Sequence, residues 1–156
     1  MAGALAAPAV GADTPLMRTA EIPLAVAQQA VSAAVERCRT DGYRVSAAVV
    51  DRAGLVKALL RDDGAGPHTL DSSRRKAYTA ASLGESTGKL ARLAGEHTHL
   101  QGLRDMNASI LLLGGGFPIR IDAEVVGGIG VGGAPGDTLD EACARAGLAA
   151  IGANSR

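Results

Sequence analysis

Three histidines, His68, His97 and His99, are the residues of this chain best suited to hold a transition metal. His68 follows a Gly-Ala-Gly-Pro bend at the start of a predicted helix, where its ring would be exposed. His97 and His99 alternate, so both rings would point one way in an extended segment and could share a metal ion, with Glu96 nearby. Solvated loop histidines are the simpler interpretation of both motifs.

A second set of candidate groups lies on the helix predicted to follow His68. Thr69 occupies its N-cap position, and Asp71 in the first turn suits the helix dipole. Lys76 could face a pocket, although solvent is the usual environment of a lone helical lysine. Tyr78 is expected to fill the core, because the chain has only two Tyr, one Phe and no Trp.

The two cysteines of the chain, Cys38 and Cys143, both fall in predicted helices among small and apolar neighbours. They could pair, but free buried thiols are the favoured interpretation, and thiols in the middle of a helix should be inert. The chain has no CxxC motif and no zinc-ligand spacing. The cysteines therefore indicate neither a redox motif nor a metal centre.

Composition excludes several classes of protein. The 156 residues are 47% hydrophobic and 21% charged, with 16 basic and 16 acidic side chains, which is typical of a globular domain. A net charge of zero argues against nucleic-acid binding, which needs a surplus of Lys and Arg. No apolar run is long enough to span a membrane, so membrane insertion is not expected.

The glycine-rich segments 114–118 and 127–133 indicate close approach of the backbone to another strand, another subunit or a flat ligand. Neither segment follows the strand–GxGxxG–helix pattern, so dinucleotide and phosphate-loop folds are rejected. No GxSxG motif for a nucleophilic serine is present. The glycines therefore favour a packing role, between strands and between subunits.

The chain is predicted to have one domain, residues 19–156, after a flexible N-terminal tail at residues 1–18. The first dozen residues are small and apolar but lack the basic region of a complete signal peptide. They are compatible with the remnant of an export signal or with a disordered tail. A secreted, processed form is slightly favoured over a cytoplasmic one.

Hydrophobic periodicity and turn residues predict an α+β fold with a five-stranded antiparallel sheet flanked by helices. Helices are predicted at residues 21–40 with Thr19 as the cap, at 69–83 ended by Gly84, from residue 86 or 87 to about 94, and from 137 or 138 to about 151. Strands are predicted at residues 44–51, 55–61, 109–113, 117–121 and 125–132. Residues 97–106 are expected to be a loop with one helical turn.

Five ordered sequence blocks within residues 45–151 resemble motifs of the GlcG/HbpS family. The blocks are VVDRAG at 49–54, RDDGA at 61–65, RKAYTA at 75–80, GGGFPI at 114–119 and VGGIGVGGA at 126–134. The resemblance implies a profilin-like fold and homo-oligomers, often octamers. It is closest to the HbpS branch, which comprises secreted haem-binding proteins linked to redox sensing and carries a haem-degrading label.

By this resemblance the expected cofactor is haem, and His68 is the best candidate for the iron ligand. Lys76 or Arg75 would lie near the propionates, and Thr69 and Tyr78 complete the expected binding residues. The HbpS-type iron site has two acidic residues three positions apart on this helix. Here the matching positions hold Asp71 and Arg74, which should form an ion pair instead.

Two other functions remain open from the sequence. The same pocket could hold a small hydrophobic substrate and use Lys76, Asp62 and His68 for acid–base chemistry. Alternatively, the oligomer could be an accessory protein that docks on a sensor or a partner enzyme. Fold alone does not decide between these functions, and whether the protein is an enzyme stays open.

Overall fold

A computed structural model describes residues 15–154 of the chain. Its elements follow one another as α1 (Leu24–Thr40), β1 (Ser46–Asp51), β2 (Val56–Arg61), α2 (His68–Leu83), α3 (Thr87–Glu96), a 3-10 helix (Thr98–Arg104), β3 (Gly116–Ile121), β4 (Glu124–Gly132) and α4 (Asp137–Ala150). The predicted N-terminal tail falls mostly on residues 1–14, which lie outside the described part. None of the described helices is long and apolar enough to cross a membrane.

The four strands form one antiparallel sheet in the order β2-β1-β4-β3. Two hairpins supply the outer pairs, β1 with β2 and β3 with β4, and the pairing of β1 with β4 joins them. The predicted turn between β3 and β4 is confirmed: Asp122 and Ala123 both have positive φ, 49° and 68°. The predicted α+β architecture is correct, but the sheet has four strands instead of five.

Helices α1 and α4 cover one face of the sheet and enclose the main hydrophobic core. The core is built from aliphatic side chains such as Val31, Ile129 and Leu148, each of which is at most 1% exposed. Cys38 of α1 and Cys143 of α4 form a disulfide within it, with Cα atoms 5.5 Å apart. The expectation of free thiols is therefore wrong, because the two helices pack side by side and bring distant cysteines together.

Helix α2 covers the other face, and glycines of β4 let it lie directly on the strand. A Cβ atom on Gly130 would lie 2.2 Å from the carbonyl oxygen of Ser73 and 2.5 Å from the amide nitrogen of Ala77. Gly128 meets the backbone of the next helical turn in the same way, 2.3 Å from the oxygen of Ala77. The dense glycines of this strand thus serve contact with the chain's own helix, a partner that the sequence analysis did not name.

The predicted strand at residues 109–113 does not form, and side chains of the helices explain why. Arg75 donates to the carbonyl oxygen of Ile110 at 2.7 Å, and the amide of Leu111 donates to the hydroxyl of Thr79 at 2.8 Å. The hydroxyl of Thr87 bonds the carbonyl oxygen of Leu113 at 2.7 Å. Because these backbone groups already have partners, the segment runs over the helices and does not join the sheet.

Helix boundaries differ from the prediction mainly at the N-termini. Helix α1 begins at Leu24 after an N-cap Pro23, so Thr19 lies outside it. Helix α2 begins at His68 after Pro67, so Thr69 lies inside the first turn and does not cap it. The predicted helix end at Gly84, the short helix α3 and the helical turn after His97 are all confirmed, and Gly84 has a left-handed conformation.

Candidate functional site

His68 opens α2 and is exposed, as the sequence predicted. Its ring lies over the bend at Gly66, since a Cβ there would come within 2.6 Å of the imidazole Cε1 and 2.9 Å of Nδ1. No hydrogen bond or ion pair engages either ring nitrogen within residues 15–154. The imidazole is therefore free to act as a donor to a metal or to haem iron.

Thr69 holds the bend in place from beneath. Its hydroxyl donates to the carbonyl oxygen of Gly66 at 2.6 Å and lies 2.7 Å from the hydroxyl of Ser46, and the residue is 1% exposed. Its backbone amide also donates to the Gly66 oxygen at 3.1 Å. Thr69 would thus influence a ligand through the position of the bend rather than by direct contact.

Asp62 starts the bend and is held by two arginines. Arg39 donates to it at 2.6 Å and Arg44 at 3.4 Å, while the amide of Asp63 donates to the same carboxylate. The hydrogen bond from Arg39 lowers the pKa of Asp62 below its ordinary value of 3.8, in spite of the opposing effect of burial. Asp62 therefore stays ionised near neutral pH and is a poor proton donor.

Arginines follow His68 along α2. Arg74 donates to Asp71 at 2.9 Å, which confirms the ion pair expected in place of a two-carboxylate iron site. The nearest atoms of Arg75 and Asp71 are 3.8 Å apart, and the Nε atom of Arg75 is buried without a partner within the described chain. The helix that begins at His68 thus carries a cationic group within its first two turns.

Lys76 is buried, so the usual expectation that a lone helical lysine faces solvent is wrong here. Its side chain is 1% exposed, and its ammonium donates to Asp140 of α4 at 2.8 Å and to the carbonyl oxygen of Val131 at 2.9 Å. Asp140 also accepts from the amide of Ala134 at 3.0 Å. Burial raises the pKa of Asp140, and this effect exceeds the lowering caused by Lys76.

Tyr78 packs against the turn between β1 and β2. A Cβ atom on Gly54 would lie 2.5 Å from Cδ2 of the ring, so the turn accommodates the aromatic face only because residue 54 is glycine. The side chain is half-buried. Tyr78 thus fills space at this turn, but it is absent from both hydrophobic core clusters, so the expectation that it fills the core is wrong.

His97 and His99 lie close together, although not for the predicted reason. The segment as a whole is not extended: His97 is the extended cap residue that follows α3, and His99 lies in the 3-10 helix that comes next. The two ring centroids are 5.6 Å apart, with 44° between the ring planes, and both residues are exposed. The described residues contain no group of three or more His, Cys, Asp or Glu able to hold a metal, so neither Glu96 nor His68 completes a three-ligand site.

Three surface cavities accompany these groups, and none of them is lined by the bend at residues 62–69. The most apolar, about 370 Å³, lies between the start of α1 and the β3–β4 hairpin, with Ile22, Val26 and Ile119 among its walls. The others, about 450 and 550 Å³, are lined by the α1–β2 groove and by the β3–β4 turn. The expected aliphatic crevice beside the bend is therefore not among these three cavities.

Haem requires an axial donor and an apolar slot. His68 fits the first requirement, because its imidazole is exposed and unpaired. The second is not met beside His68, because none of the three cavities is lined by His68 or by the bend before it. One chain thus supplies a ligand for the iron, while apolar side chains that cover the faces of the macrocycle would have to come from another chain.

Solved structures and a curated relative resemble this chain over most of its length. A Streptomyces reticuli HbpS variant with two glutamates replaced by aspartate is 43% identical, with a TM-score of 0.84, and the match covers 93% of this chain and 97% of that one. A PduOC–haem complex is 24% identical with a TM-score of 0.80, over 87% and 99% of the two chains, which shows a shared fold.

The curated relative is an uncharacterised 15.0 kDa protein from the dhaT–dhaS intergenic region of Citrobacter freundii. It is 32% identical over 115 residues, 73% of this chain and 81% of the relative. The family model described as haem-degrading protein HbpS-like matches residues 22–149, which include every helix and strand but the last residue of α4. The chain therefore belongs to the HbpS-like family.

Proposed function

We propose that this protein binds haem, with His68 as the axial iron ligand. The observation that carries the proposal is the exposed imidazole of His68, which opens α2 and has no partner for either ring nitrogen within the described residues. Family membership supports a haem-related role. The PduOC–haem complex adds that a protein of this fold can hold the cofactor.

The propionates would lie near the N-terminal half of α2. The positive end of the helix dipole and the guanidinium groups of Arg74 and Arg75 favour an anion there. The carboxylate of Asp71 already engages both arginines, so a propionate would compete with it. Lys76, whose ammonium is enclosed by Asp140 and Val131, belongs in this proposal to the framework of the site and not to the propionate contacts.

The apolar walls would come from a second copy of the chain. Strand β2 is an edge strand, and it leads directly into the bend that carries His68. The strand exposes Val56, Leu59 and Leu60 by 46%, 36% and 42%, and Leu55, which precedes it, is 67% exposed. Exposed apolar side chains on an unpaired edge are typical of a subunit contact. A homo-oligomer, for which the resemblance suggests an octamer, would then exclude water from the haem.

Bound haem would supply a redox-active iron, and redox sensing or the handling of haem and iron are the roles that it would serve. The chain's own contribution is to fix the imidazole on a rigid helix. Thr69 and Ser46 anchor the bend, and the glycines of β4 let α2 lie against the sheet. Whether haem is also degraded is a separate question from binding.

Titration with hemin tests the proposal. Purified wild-type protein should bind hemin with a shifted Soret band, and His68→Ala should lose that band position or weaken binding strongly. His97→Ala and His99→Ala are matched controls, because they remove an exposed imidazole elsewhere. Native mass spectrometry of the loaded protein would report subunit number and haem stoichiometry. An unchanged spectrum in His68→Ala would remove His68 from this role.

The acid–base alternative is not supported by the arrangement of its residues. Lys76 pairs with Asp140 in the interior, while Asp62 pairs with Arg39 and Arg44 at the start of the bend. The two groups therefore serve separate ion pairs, and neither is free to exchange protons with a substrate beside His68.

We also propose that the chain functions in an oxidising compartment, in line with the export favoured by its N-terminal residues. The supporting observation is the Cys38–Cys143 disulfide, since such bonds persist outside reducing cytosol. Alkylation of the unfolded protein taken directly from its native cell should leave both cysteines unmodified. Two alkylated thiols would contradict the proposal.

A further inference from the structure

We propose that His97 and His99 form a two-histidine site for a divalent transition metal such as Cu²⁺, Ni²⁺ or Zn²⁺. This site goes beyond haem binding and is independent of it. It lies at the junction of α3 and the 3-10 helix, where His97 is the C-cap of the first element and the N-cap of the second, and His99 lies within the second. A shared metal would therefore fix the first turn of the 3-10 helix to the residue that ends α3.

Ring geometry supports a shared ion. An imidazole nitrogen lies about 2.0–2.1 Å from the metal it binds, which puts each ring centre about 3 Å from the ion. Two rings on one metal then have centres about 5 Å apart at a tetrahedral angle, and about 6 Å apart at wider angles. The observed separation of 5.6 Å falls between these values.

Nothing within residues 15–154 competes for the ring nitrogens. Both histidines are exposed, and no hydrogen bond or ion pair is made by either imidazole in that part of the chain. The contact between the two rings is the side-chain interaction that they share. The site is therefore open to an ion from solvent and needs no bond to be broken first.

The local field also favours a cation. His97 is the C-cap of α3, and its backbone amide donates to the carbonyl oxygen of Leu93 at 2.9 Å. The C-terminal end of a helix carries partial negative charge, which stabilises a positive ion. Glu96, exposed beside it, adds a full negative charge. His97 is also the N-cap of the 3-10 helix, whose first turn has the opposite polarity, so the charge of Glu96 and not the helix polarity is what favours a cation here.

The described chain supplies two ligands and no third, so water or an outside ligand would fill the remaining positions. Such a site should exchange its metal readily, and it should follow the usual order for imidazole donors, with Cu²⁺ bound more tightly than Ni²⁺ or Zn²⁺. These properties fit a loading or transfer position better than a permanent structural metal.

Titration with NiCl₂ followed by calorimetry tests the inference. Wild-type protein should bind one Ni²⁺ per chain. His97→Ala, His99→Ala and the double variant should each lose that binding to the same extent, because a chelate fails when either donor is removed. His68→Ala, which removes the remaining histidine of the chain, should bind Ni²⁺ like the wild type.

Hydrogen exchange gives a second measurement, which Ni²⁺ would not change if His97 and His99 had only a structural role. Ni²⁺ should slow exchange in residues 97–104 of the wild type and leave the double variant unchanged. Absence of Ni²⁺ binding to the wild type, retained binding in the double variant, or loss in only one single variant would each overturn the inference. Hemin titrations of the same variants keep this result distinct from the proposed role of His68.

Discussion

The two faces of the sheet are covered by helices in opposite ways. Helices α1 and α4 pack through aliphatic side chains and are joined by the Cys38–Cys143 disulfide. Helix α2 packs through its backbone on the glycines of β4, and its buried groups are largely polar, among them Ser73, Lys76 and Thr79. The first face gains its stability from apolar area, whereas the second depends on close fit and satisfied polar groups.

This difference suggests that one face mainly stabilises the fold and that the other mainly positions side chains. Side chains at an aliphatic interface can change rotamer, whereas the backbone atoms of a helix that lies directly on glycines cannot rotate away from a clash. The proposed iron ligand, His68, opens the helix with the tighter seat. The chain thus keeps bulk burial on one face and uses the other to fix the direction of a functional side chain.

The largest effect should come from the buried ion pair behind α2. Asp140→Asn removes the counter-charge of Lys76 and should lower the free energy of unfolding by about 3–5 kcal/mol, measured by urea denaturation. Lys76→Met should cost less, because burial already raises the pKa of Asp140 and the carboxyl can bind a proton. A loss below about 1 kcal/mol for Asp140→Asn would contradict this account of the second face.

The sign of the pH dependence sharpens that test. A folded-state pKa above the ordinary value of 3.8 means that the folded protein binds the proton more tightly than the unfolded chain. The part of the free energy of unfolding that arises from this pKa shift is therefore greatest below pH 3.8, and it is lost as the pH rises through the folded-state pKa of Asp140. In Lys76→Met, stability relative to wild type should fall as the pH is raised above that value. If the loss of stability in Lys76→Met relative to wild type instead became larger as the pH is lowered, this interpretation would be excluded.

Removal of the disulfide should have the next largest effect, on the other face. The bond closes a loop with a sequence separation of 105 residues, and its loss typically costs about 2–4 kcal/mol. The Cys38→Ala, Cys143→Ala double variant should therefore melt at lower temperature than the oxidised wild type. Hemin binding should persist in the folded variant, because His68 is positioned by α2 and not by this bond. Loss of the haem spectrum well below the melting point would break the proposed separation of the faces.

A single methyl group on β4 should have the smallest of these effects. Gly130→Ala places a Cβ atom against backbone atoms of Ser73 and Ala77, which cannot rotate away, and overpacking of this kind costs about 1–3 kcal/mol. Gly95→Ala in α3 is the matched control, since no atom lies within 4 Å of its added Cβ and the helix gains up to about 1 kcal/mol. Equal stability of the two variants would show that the backbone of α2 does not lie in close contact with Gly130.

Local patterns predicted most of the elements, and contacts between distant residues account for the errors. The β1–β2 hairpin and the end of α2 at Gly84 follow from β-branched runs and turn residues, which act over a few positions. The pairing of Cys38 with Cys143 and the burial of Lys76 by Asp140 join residues far apart in sequence, so no local signal specified them.

The candidate site shows the same limit. The exposure of His68 followed from its Gly-Pro bend, and the Asp71–Arg74 ion pair followed from helical spacing. The nearness of His97 and His99 was expected from an extended backbone but arises from a helix end. The buried environment of Thr69 depends on Ser46, which lies on a different element and carries no motif of its own.

The segment at residues 109–113 also affects how readily the unfolded and partly folded chain aggregates. Its Ile-Leu-Leu-Leu run has no charge and no proline, a composition that promotes association between exposed extended chains. The hydroxyls of Thr79 and Thr87 and the guanidinium of Arg75 occupy its backbone groups in the native state. These three polar side chains therefore hold the segment against the helices, and substitutions that remove their hydrogen bonds should favour insoluble aggregates during expression.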